Sequence, residues 1–352
     1  MKLPSMSSLL HWISSRTQSD FEILSTHRFE LKYRVLFLSL AIAIAAGILR
    51  TWLAYQVRPF LHNGAGDFSF ATRIARDLWN MRDPYAYPVG PDSVSYPLPA
   101  GIIAIPFALF EDELASGLFF GVSCFILAWC MLNSGKTWFL LVFLSWPFAY
   151  AVLFSQWTPL IMTLWFLPFM LPLVLVKPHI AIPLVLTGKV STLGIVLTFA
   201  LLLASLIAVP NWPFTWLKQI NTYKGLPPIT ALPLGPFILL ALLKFRDRRA
   251  WLLVLFAMMP QRVLYDQLPL FLLATTGFQL VFLVFCSWLS LPLLFHWGGW
   301  ANLPISWQFW IVLTLYIPSL IVLFWPDLSR LFKKRSKASN GLSRGSELQE
   351  PL

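Results

Sequence analysis

The feature that most constrains this chain is the length of its apolar blocks. Residues 35–49 and 191–209 contain no charged side chain, and a helix needs about 20 apolar residues to cross the hydrocarbon core of a bilayer. Only 12% of the 352 residues are charged, against about a quarter in soluble domains. We therefore expect an all-α fold, a polytopic bundle of transmembrane helices.

Membrane topology explains the net charge of +11 better than nucleic-acid binding does. Basic residues cluster before residue 35, at residues 244–249 and in the C-terminal tail, and with Lys136 and Lys189 they make seventeen of the twenty-six. All of them can be placed on one side, as the positive-inside rule requires. We predict that the chain has no nucleic-acid partner and that its basic residues attract anionic membrane lipids. We also predict a multi-pass protein of a bacterial plasma membrane, with both termini in the cytoplasm.

This topology divides the chain into three regions. Residues 1–34 form a cytoplasmic or interfacial segment, residues 35–326 the transmembrane domain, and residues 327–352 a basic, disordered cytoplasmic tail. Within the domain, residues 58–113 form the first outer loop, and residues 211–228 form another. The pattern predicts roughly nine to eleven spans.

Three apolar segments are too short or too interrupted to be read as ordinary spans. Residues 96–110 are predicted to be re-entrant or interfacial, and residues 268–297 a short hairpin. Prolines interrupt residues 157–188, which form either one span plus a broken one or a set of half-helices.

The first outer loop is rich in charge and contains a predicted helix over residues 68–81. Phe70, Ile74 and Leu78 recur at the spacing of one helical face. Asp67 directly precedes this helix, where an aspartate is a common N-cap. From local sequence alone, capping the helix is the simplest role for Asp67.

Metal and disulfide chemistry are not indicated. Cys124, Cys130 and Cys286 all lie inside apolar runs, where cysteine behaves as a small hydrophobic residue. The histidines are scattered without the spacing of a ligand set. We predict no metal site and no cofactor.

Four ordered segments resemble those of the GT-C glycosyltransferases, and more closely of glycosyltransferase family 87, the polyprenol-phosphate-mannose-dependent mannosyltransferases. They are "GDF" at 66–68 with the following "ARDLWNMRDPY", "YPLP" at 96–99, "SQWTPLIM" at 155–162, and Lys177-Pro178 followed by "PQRVLYDQLPLFLL" at 260–273. The chain departs from the pattern at Ser155, where the family has glycine, and at Arg82, where glycine is common.

The resemblance implies a GT-C-like fold and an inverting membrane glycosyltransferase. The donor would be a polyprenyl-phosphate hexose, expected to be mannose, and the acceptor a lipid-linked molecule or a glycan at the outer face. In GT-C enzymes an aspartate at the start of the first outer loop is taken as the catalytic base. That role falls on Asp67, since a carboxylate can accept the proton of the attacking hydroxyl.

The leaving phosphate gains negative charge as the glycosidic bond breaks, so cations should stabilise it. The candidates are Lys177, His179 and Arg262, with Arg76 or Arg82 from the outer loop. Arg262 could equally anchor the outer end of a span, and Lys177 could flank a span on the cytoplasmic side.

Further residues are candidates for substrate binding. Asp266 would orient Arg262 or contact the acceptor, and Gln156 would line the sugar site together with Trp157. Tyr85 and Tyr96 would stack on a sugar. Trp157 and both tyrosines are also typical of the membrane interface.

Two other functions are compatible with the sequence. Charges inside a membrane domain also mark transport paths, so the chain could be a transporter or flippase of lipid-linked intermediates. It could also be an inactive relative of the GT-C enzymes.

Overall fold

Helices dominate the part of the chain that the structure describes, and no β-strand occurs there. The computed structural model describes residues 29–57, 64–86, 96–220, 225, 227–261, 265–291 and 307–327. Its α-helices are α1 (Phe29–Val57), α2 (Phe68–Trp79), α3 (Leu98–Ala104), α4 (Asp112–Asn133), α5 (Trp146–Leu153), α6 (Thr158–Met162), α7 (Pro178–Thr187), α8 (Thr192–Ala208), α9 (Trp212–Ile220), α10 (Arg248–Met258), α11 (Gly277–Trp288) and α12 (Trp307–Ile311). The all-α prediction is confirmed for these residues.

Three described helices are long and apolar enough to cross a membrane. They are Tyr33–Gln56, Asp112–Asn133 and Gln308–Asp327. The segments Thr192–Ala208 and Trp212–Ile220 pass the same test together but are bent by 91°. The second of these lies within the outer loop predicted at residues 211–228, and Trp212, Trp216 and Gln219 share one side of this helix.

Several apolar segments form short helices instead of continuous spans. The 3₁₀-helices Thr137–Leu144, Pro168–Leu175 and Gly235–Lys244 each occupy a stretch predicted to lie in the membrane. A 3₁₀-helix rises about 2.0 Å per residue, so ten residues extend about 20 Å against a core of about 30 Å. The region 157–188 is a series of short helices, and the count of nine to eleven spans stays a prediction.

Helices α1 and α4 pack through small residues spaced four positions apart. A Cβ on Gly121 would lie 2.9 Å from the carbonyl oxygen of Ala43, and one on Gly47 would lie 3.1 Å from that of Gly117. A Cβ on Gly117 would overlap the side chain of Thr51. Small residues allow membrane helices to approach closely, and the order of these contacts makes the two helices antiparallel.

This antiparallel pair gives the bundle two ends. Asp67 and α2 follow the end of α1, and Thr72 of α2 donates a hydrogen bond to the Asp112 carboxylate at the start of α4 over 2.7 Å. Lys136 follows the other end of α4. The 22 residues of α4 extend about 33 Å at 1.5 Å per residue. We call these the Asp67 end and the Lys136 end.

Helix α2 is held against α3 by close backbone contact. A Cβ on Gly101 of α3 would overlap the side chain of Ile74, which is fully buried. The apolar face of α2 also buries Phe68, whose ring stacks on Phe119 of α4 at 3.9 Å between centroids. The predicted helix after Asp67 is therefore present, over Phe68–Trp79, and it is packed against α3 and α4.

Candidate functional site

The turn that carries Asp67 requires a glycine. Gly66 has a φ of +68°, and a Cβ there would lie 2.5 Å from the carbonyl oxygen of Phe154. That same oxygen accepts a hydrogen bond from the Asp67 backbone N–H at 2.9 Å. The backbone of Asp67 is thereby fixed to the segment that leads into Gln156.

The side chain of Asp67 does not cap helix α2. Its backbone is helical, with φ −64° and ψ −24°, and its carboxylate makes no capping hydrogen bond. The prediction that it caps the helix is therefore wrong. The carboxylate instead accepts hydrogen bonds from Gln156 Nε2 at 2.6 Å and Tyr96 OH at 3.4 Å, both on Oδ2.

Gln156 is positioned by an unusual residue before it. Ser155 has a φ of +48°, in the left-handed region that glycine adopts readily and other residues rarely. This explains why glycine is expected at this position from the resemblance. After Ser155, the Gln156 N–H donates to Ala151 at 2.9 Å, and its side chain is fully buried beneath Asp67.

Lys177 lies on the other side of Gln156. Its ammonium donates to Gln156 Oε1 at 2.7 Å and to Asp266 Oδ1 at 3.3 Å, and it lies 5.0 Å from the centre of the Tyr265 ring. Only 9% of Lys177 is exposed. Because a buried ammonium is costly without partners, these contacts determine where it can lie.

Asp266 joins Lys177 to His179. The Asp266 carboxylate is fully buried, and its Oδ2 lies 3.4 Å from His179 Nε2. Together with Gln156 these residues link the two carboxylates of the site. We call the series Asp67–Gln156–Lys177–Asp266–His179 the polar chain.

The polar chain borders a cavity of about 360 Å³ at the Asp67 end. Five residues predicted for the site line this cavity: Asp67, Tyr96, Lys177, His179 and Asp266. Gln156 lies beneath it and joins Asp67 to Lys177. We call this space the Asp67 cavity. Residues separated by as many as two hundred positions in sequence meet there.

The two loop arginines do not line the Asp67 cavity, which corrects their predicted role. Arg76 forms an ion pair with Asp112 at 2.9 Å and donates to the carbonyl oxygens of Ala108 and Phe110. These acceptors cluster before and at the start of α4 and draw Arg76 away. Arg82 is exposed beyond the end of α2.

Tyr85 supports the cavity without lining it, which corrects the prediction that it stacks on a sugar. It is buried, its hydroxyl donates to the carbonyl oxygen of Tyr96 at 2.9 Å, and burial raises the pKa of its phenol.

Trp157 is fully buried against Phe119 at 4.5 Å between ring centroids, so it belongs to the core and not to the interface. Arg262 lies outside the described residues.

Two features near the cavity were not identified as site residues from the sequence. Arg50 of α1 is fully buried, donates to the carbonyl oxygen of Gly64 at 2.6 Å, and interacts electrostatically with Asp67. From the sequence, Arg50 was singled out together with Lys177 only as a charge inside an apolar block, which suits a transport path. Trp216 and Gln219 of α9 also line the cavity.

Asp77 of α2 is buried although it carries a carboxylate. It is 7% exposed, and burial raises the pKa of its carboxyl.

Among the described residues no group of three or more His, Cys, Asp or Glu side chains could hold a metal ion. Comparison of the chain with protein-family models, curated proteins and solved structures found no match.

Proposed function

We propose that this chain is a membrane glycosyltransferase that transfers a hexose from a polyprenyl-phosphate sugar to a lipid-linked or glycan acceptor, with inversion. One observation carries the proposal: Asp67, Lys177, His179 and Asp266 border a single cavity of about 360 Å³ beside helices of membrane-spanning length. Cavities of roughly 300–1,000 Å³ accommodate small ligands. The choice of mannose as the hexose rests on the resemblance of the four sequence segments.

Asp67 is the proposed general base. As the acceptor hydroxyl attacks C1 of the sugar, its proton passes to the carboxylate, the new C1–O bond forms, and the bond from C1 to the phosphate oxygen breaks with its electron pair moving to phosphate. Both side-chain hydrogen bonds described for Asp67 end on Oδ2. Gln156 and Tyr96 therefore orient the carboxylate while Oδ1 is directed to the acceptor.

Lys177 and His179 are the proposed partners of the leaving phosphate. An ammonium has three N–H donors, and Lys177 uses two of them on Gln156 and Asp266. The third is assigned to a phosphate oxygen, whose charge increases as the bond to C1 breaks. His179, on the wall of the same cavity, adds a second donor to the phosphate.

Asp266 acts in this scheme by positioning Lys177 and His179. Its two carboxylate oxygens lie 3.3 Å from Lys177 Nζ and 3.4 Å from His179 Nε2. Since Asp266 is fully buried, it holds the ammonium of Lys177 and the ring of His179 in place without access to bulk water. Donor phosphate and acceptor hydroxyl would then lie at opposite sides of Gln156.

The proposal is tested with the purified full-length chain in liposomes. Radiolabelled polyprenyl-phosphate-mannose is supplied together with membrane-lipid extract as a source of acceptors, and GDP-mannose is supplied in a parallel reaction. We expect a new labelled lipid or glycan from the lipid-linked donor alone. Labelled product from GDP-mannose alone would contradict the proposal. A donor that crosses the bilayer without forming product would favour a flippase.

A further inference from the structure

A second cavity, of about 490 Å³, lies at the Lys136 end of the bundle. Four basic side chains line it, namely Lys136, Lys189, Arg248 and Arg249. Asp247 is the one carboxylate among its lining residues. We call this space the basic cavity. It takes no part in the chemistry proposed for the Asp67 cavity, which lies beyond the other end of α4.

The single carboxylate of the basic cavity is already neutralised by its neighbour. Arg249 donates to Asp247 through Nη2 at 2.6 Å and through Nε at 3.1 Å, and its Nη1 donates to the Leu273 carbonyl oxygen at 3.2 Å. Burial opposes the charge on Asp247, but the hydrogen bonds and charge of Arg249 outweigh it and lower the pKa of this carboxyl. Asp247 therefore forms its ion pair with Arg249, although its charge also acts on the adjacent Arg248.

Two of the remaining cations face aromatic rings. The Arg248 guanidinium lies 4.2 Å from the centre of the Trp165 ring, and Lys136 Nζ lies 5.7 Å from that of Phe139. Neither Arg248 nor Lys136 forms an ion pair with a carboxylate among the described residues. The cavity thus has surplus positive charge above a wall of aromatic side chains.

The shape and charge of this cavity suit one class of ligand that a membrane supplies. Arginine and lysine bind phosphate oxygens through charge-assisted hydrogen bonds. Basic pockets between transmembrane helices bind the head groups of anionic lipids. An aromatic wall beside such a head group can contact its glycerol and the first carbons of its acyl chains, because aromatic side chains favour the membrane interface.

We propose that the basic cavity binds the phosphate group of an anionic membrane lipid, with Lys136 and Arg248 as its cationic partners and Lys189 on the same lining. The Asp247–Arg249 pair forms the rim and keeps the start of α10 in place. The site is independent of the proposed glycosyltransferase activity, so either could be wrong without affecting the other.

The test measures lipid binding to the full-length protein in neutral detergent. Phosphatidylglycerol and phosphatidylcholine are titrated separately, and retained lipid is counted by native mass spectrometry. The variant Lys136→Gln/Arg248→Gln removes two cations of the cavity. The matched control Arg34→Gln/Arg246→Gln removes two exposed cations at the same end that do not line it. Unfolding temperatures without added lipid establish that both variants fold.

We expect saturable binding of phosphatidylglycerol that phosphatidylcholine does not reproduce. Each cation removed from the cavity should weaken binding about fivefold, so the cavity variant should lose roughly 25-fold and the control less than fivefold. Equal losses in the two variants would overturn the proposal, because binding would then follow the total charge of this end. A third titration uses inorganic phosphate. If phosphate protects the protein from unfolding while phosphatidylglycerol does not bind, the lipid assignment is wrong.

Discussion

The two cavities use charge in opposite ways. In the Asp67 cavity the buried groups contact one another: Lys177 lies between Gln156 and Asp266, and Asp266 is fully buried. In the basic cavity Lys136 and Arg248 are exposed, and their positive charge exceeds that of the one carboxylate. The first arrangement holds particular atoms in fixed positions, and the second attracts an opposite charge.

The difference has an energetic basis. A buried ion pair gains little net stability over apolar packing, but loss of one partner leaves an uncompensated charge at a cost of about 3–5 kcal/mol. Exposed pairs contribute about 0–1 kcal/mol each and are screened by salt. Substitutions in the Asp67 cavity should therefore alter chemistry and stability, whereas those in the basic cavity should alter ligand binding.

The largest expected effect is on sugar transfer by Asp67→Asn. Asn retains the size of Asp and can still accept from Gln156 through its Oδ1, so the fold should be unchanged. An amide cannot take the acceptor proton, so the transfer rate should fall about 10²–10⁴-fold. Initial rates with saturating polyprenyl-phosphate-mannose measure this effect.

The matched control for Asp67→Asn comes from the other cavity. Asp247→Asn makes the same chemical change at the Lys136 end and should leave the transfer rate within about twofold. If Asp67→Asn transfers sugar at the wild-type rate, Asp67 is not the base. Asp266, the other carboxylate of the Asp67 cavity, would then be the next candidate.

The next largest effect concerns the buried pair of Lys177 and Asp266. Asp266→Asn removes the negative charge that balances the buried ammonium, although its amide oxygen can still accept a hydrogen bond from Lys177, and the free energy of unfolding should fall by about 3–5 kcal/mol. Lys177→Met/Asp266→Asn removes the unbalanced charge and should recover most of that stability without recovering sugar transfer. Chemical unfolding in detergent measures the stabilities of both.

The corresponding pair in the basic cavity is the control for that experiment. Asp247 and Arg249 have side chains that are 26% and 20% exposed, so this pair is less buried than Lys177 and Asp266, and Asp247→Asn should cost less stability than Asp266→Asn. If the two substitutions reduced stability equally, the contrast between a fully buried pair and a partly exposed pair would be wrong.

The sequence predicted the features that follow from local composition, but not those that depend on contacts between residues distant in sequence. Uninterrupted apolar blocks predicted the first and fourth helices, because span length follows directly from bilayer thickness. The segments around Asp67, Gln156, Lys177 and Asp266 were selected as one site by resemblance, and the structure brings them together. Their hydrogen-bond order was not predictable, since it depends on contacts across 89 positions in sequence.

The errors in prediction also have physical causes. Arg76 was placed at the site because it lies on the charged loop, but the acceptors near Asp112 are closer to it in space. Trp157 has an amphipathic ring typical of an interface, but tertiary packing against Phe119 buries it.

The smallest expected effects compare the glycine turns at the two ends. Gly66 and Gly135 both have positive φ, of +68° and +74°, so alanine at either position costs roughly 1–2 kcal/mol in backbone strain. At Gly135 a Cβ would meet nothing within 4 Å, whereas at Gly66 it would lie 2.5 Å from the Phe154 carbonyl oxygen.

Gly66→Ala should therefore cost more stability than Gly135→Ala, because the clash also breaks the 2.9 Å hydrogen bond from Asp67 N–H to that oxygen. We expect a further loss of about 1 kcal/mol. Sugar transfer should fall at least tenfold in Gly66→Ala alone, since a displacement of about 1 Å at a reacting group can cost up to 10²-fold. Unfolding and transfer are measured on the same preparations. The two variants carry the same backbone strain and differ in what the new methyl group contacts. Equal transfer rates would therefore contradict the inference that the Gly66 turn holds Asp67 in the position that sugar transfer requires.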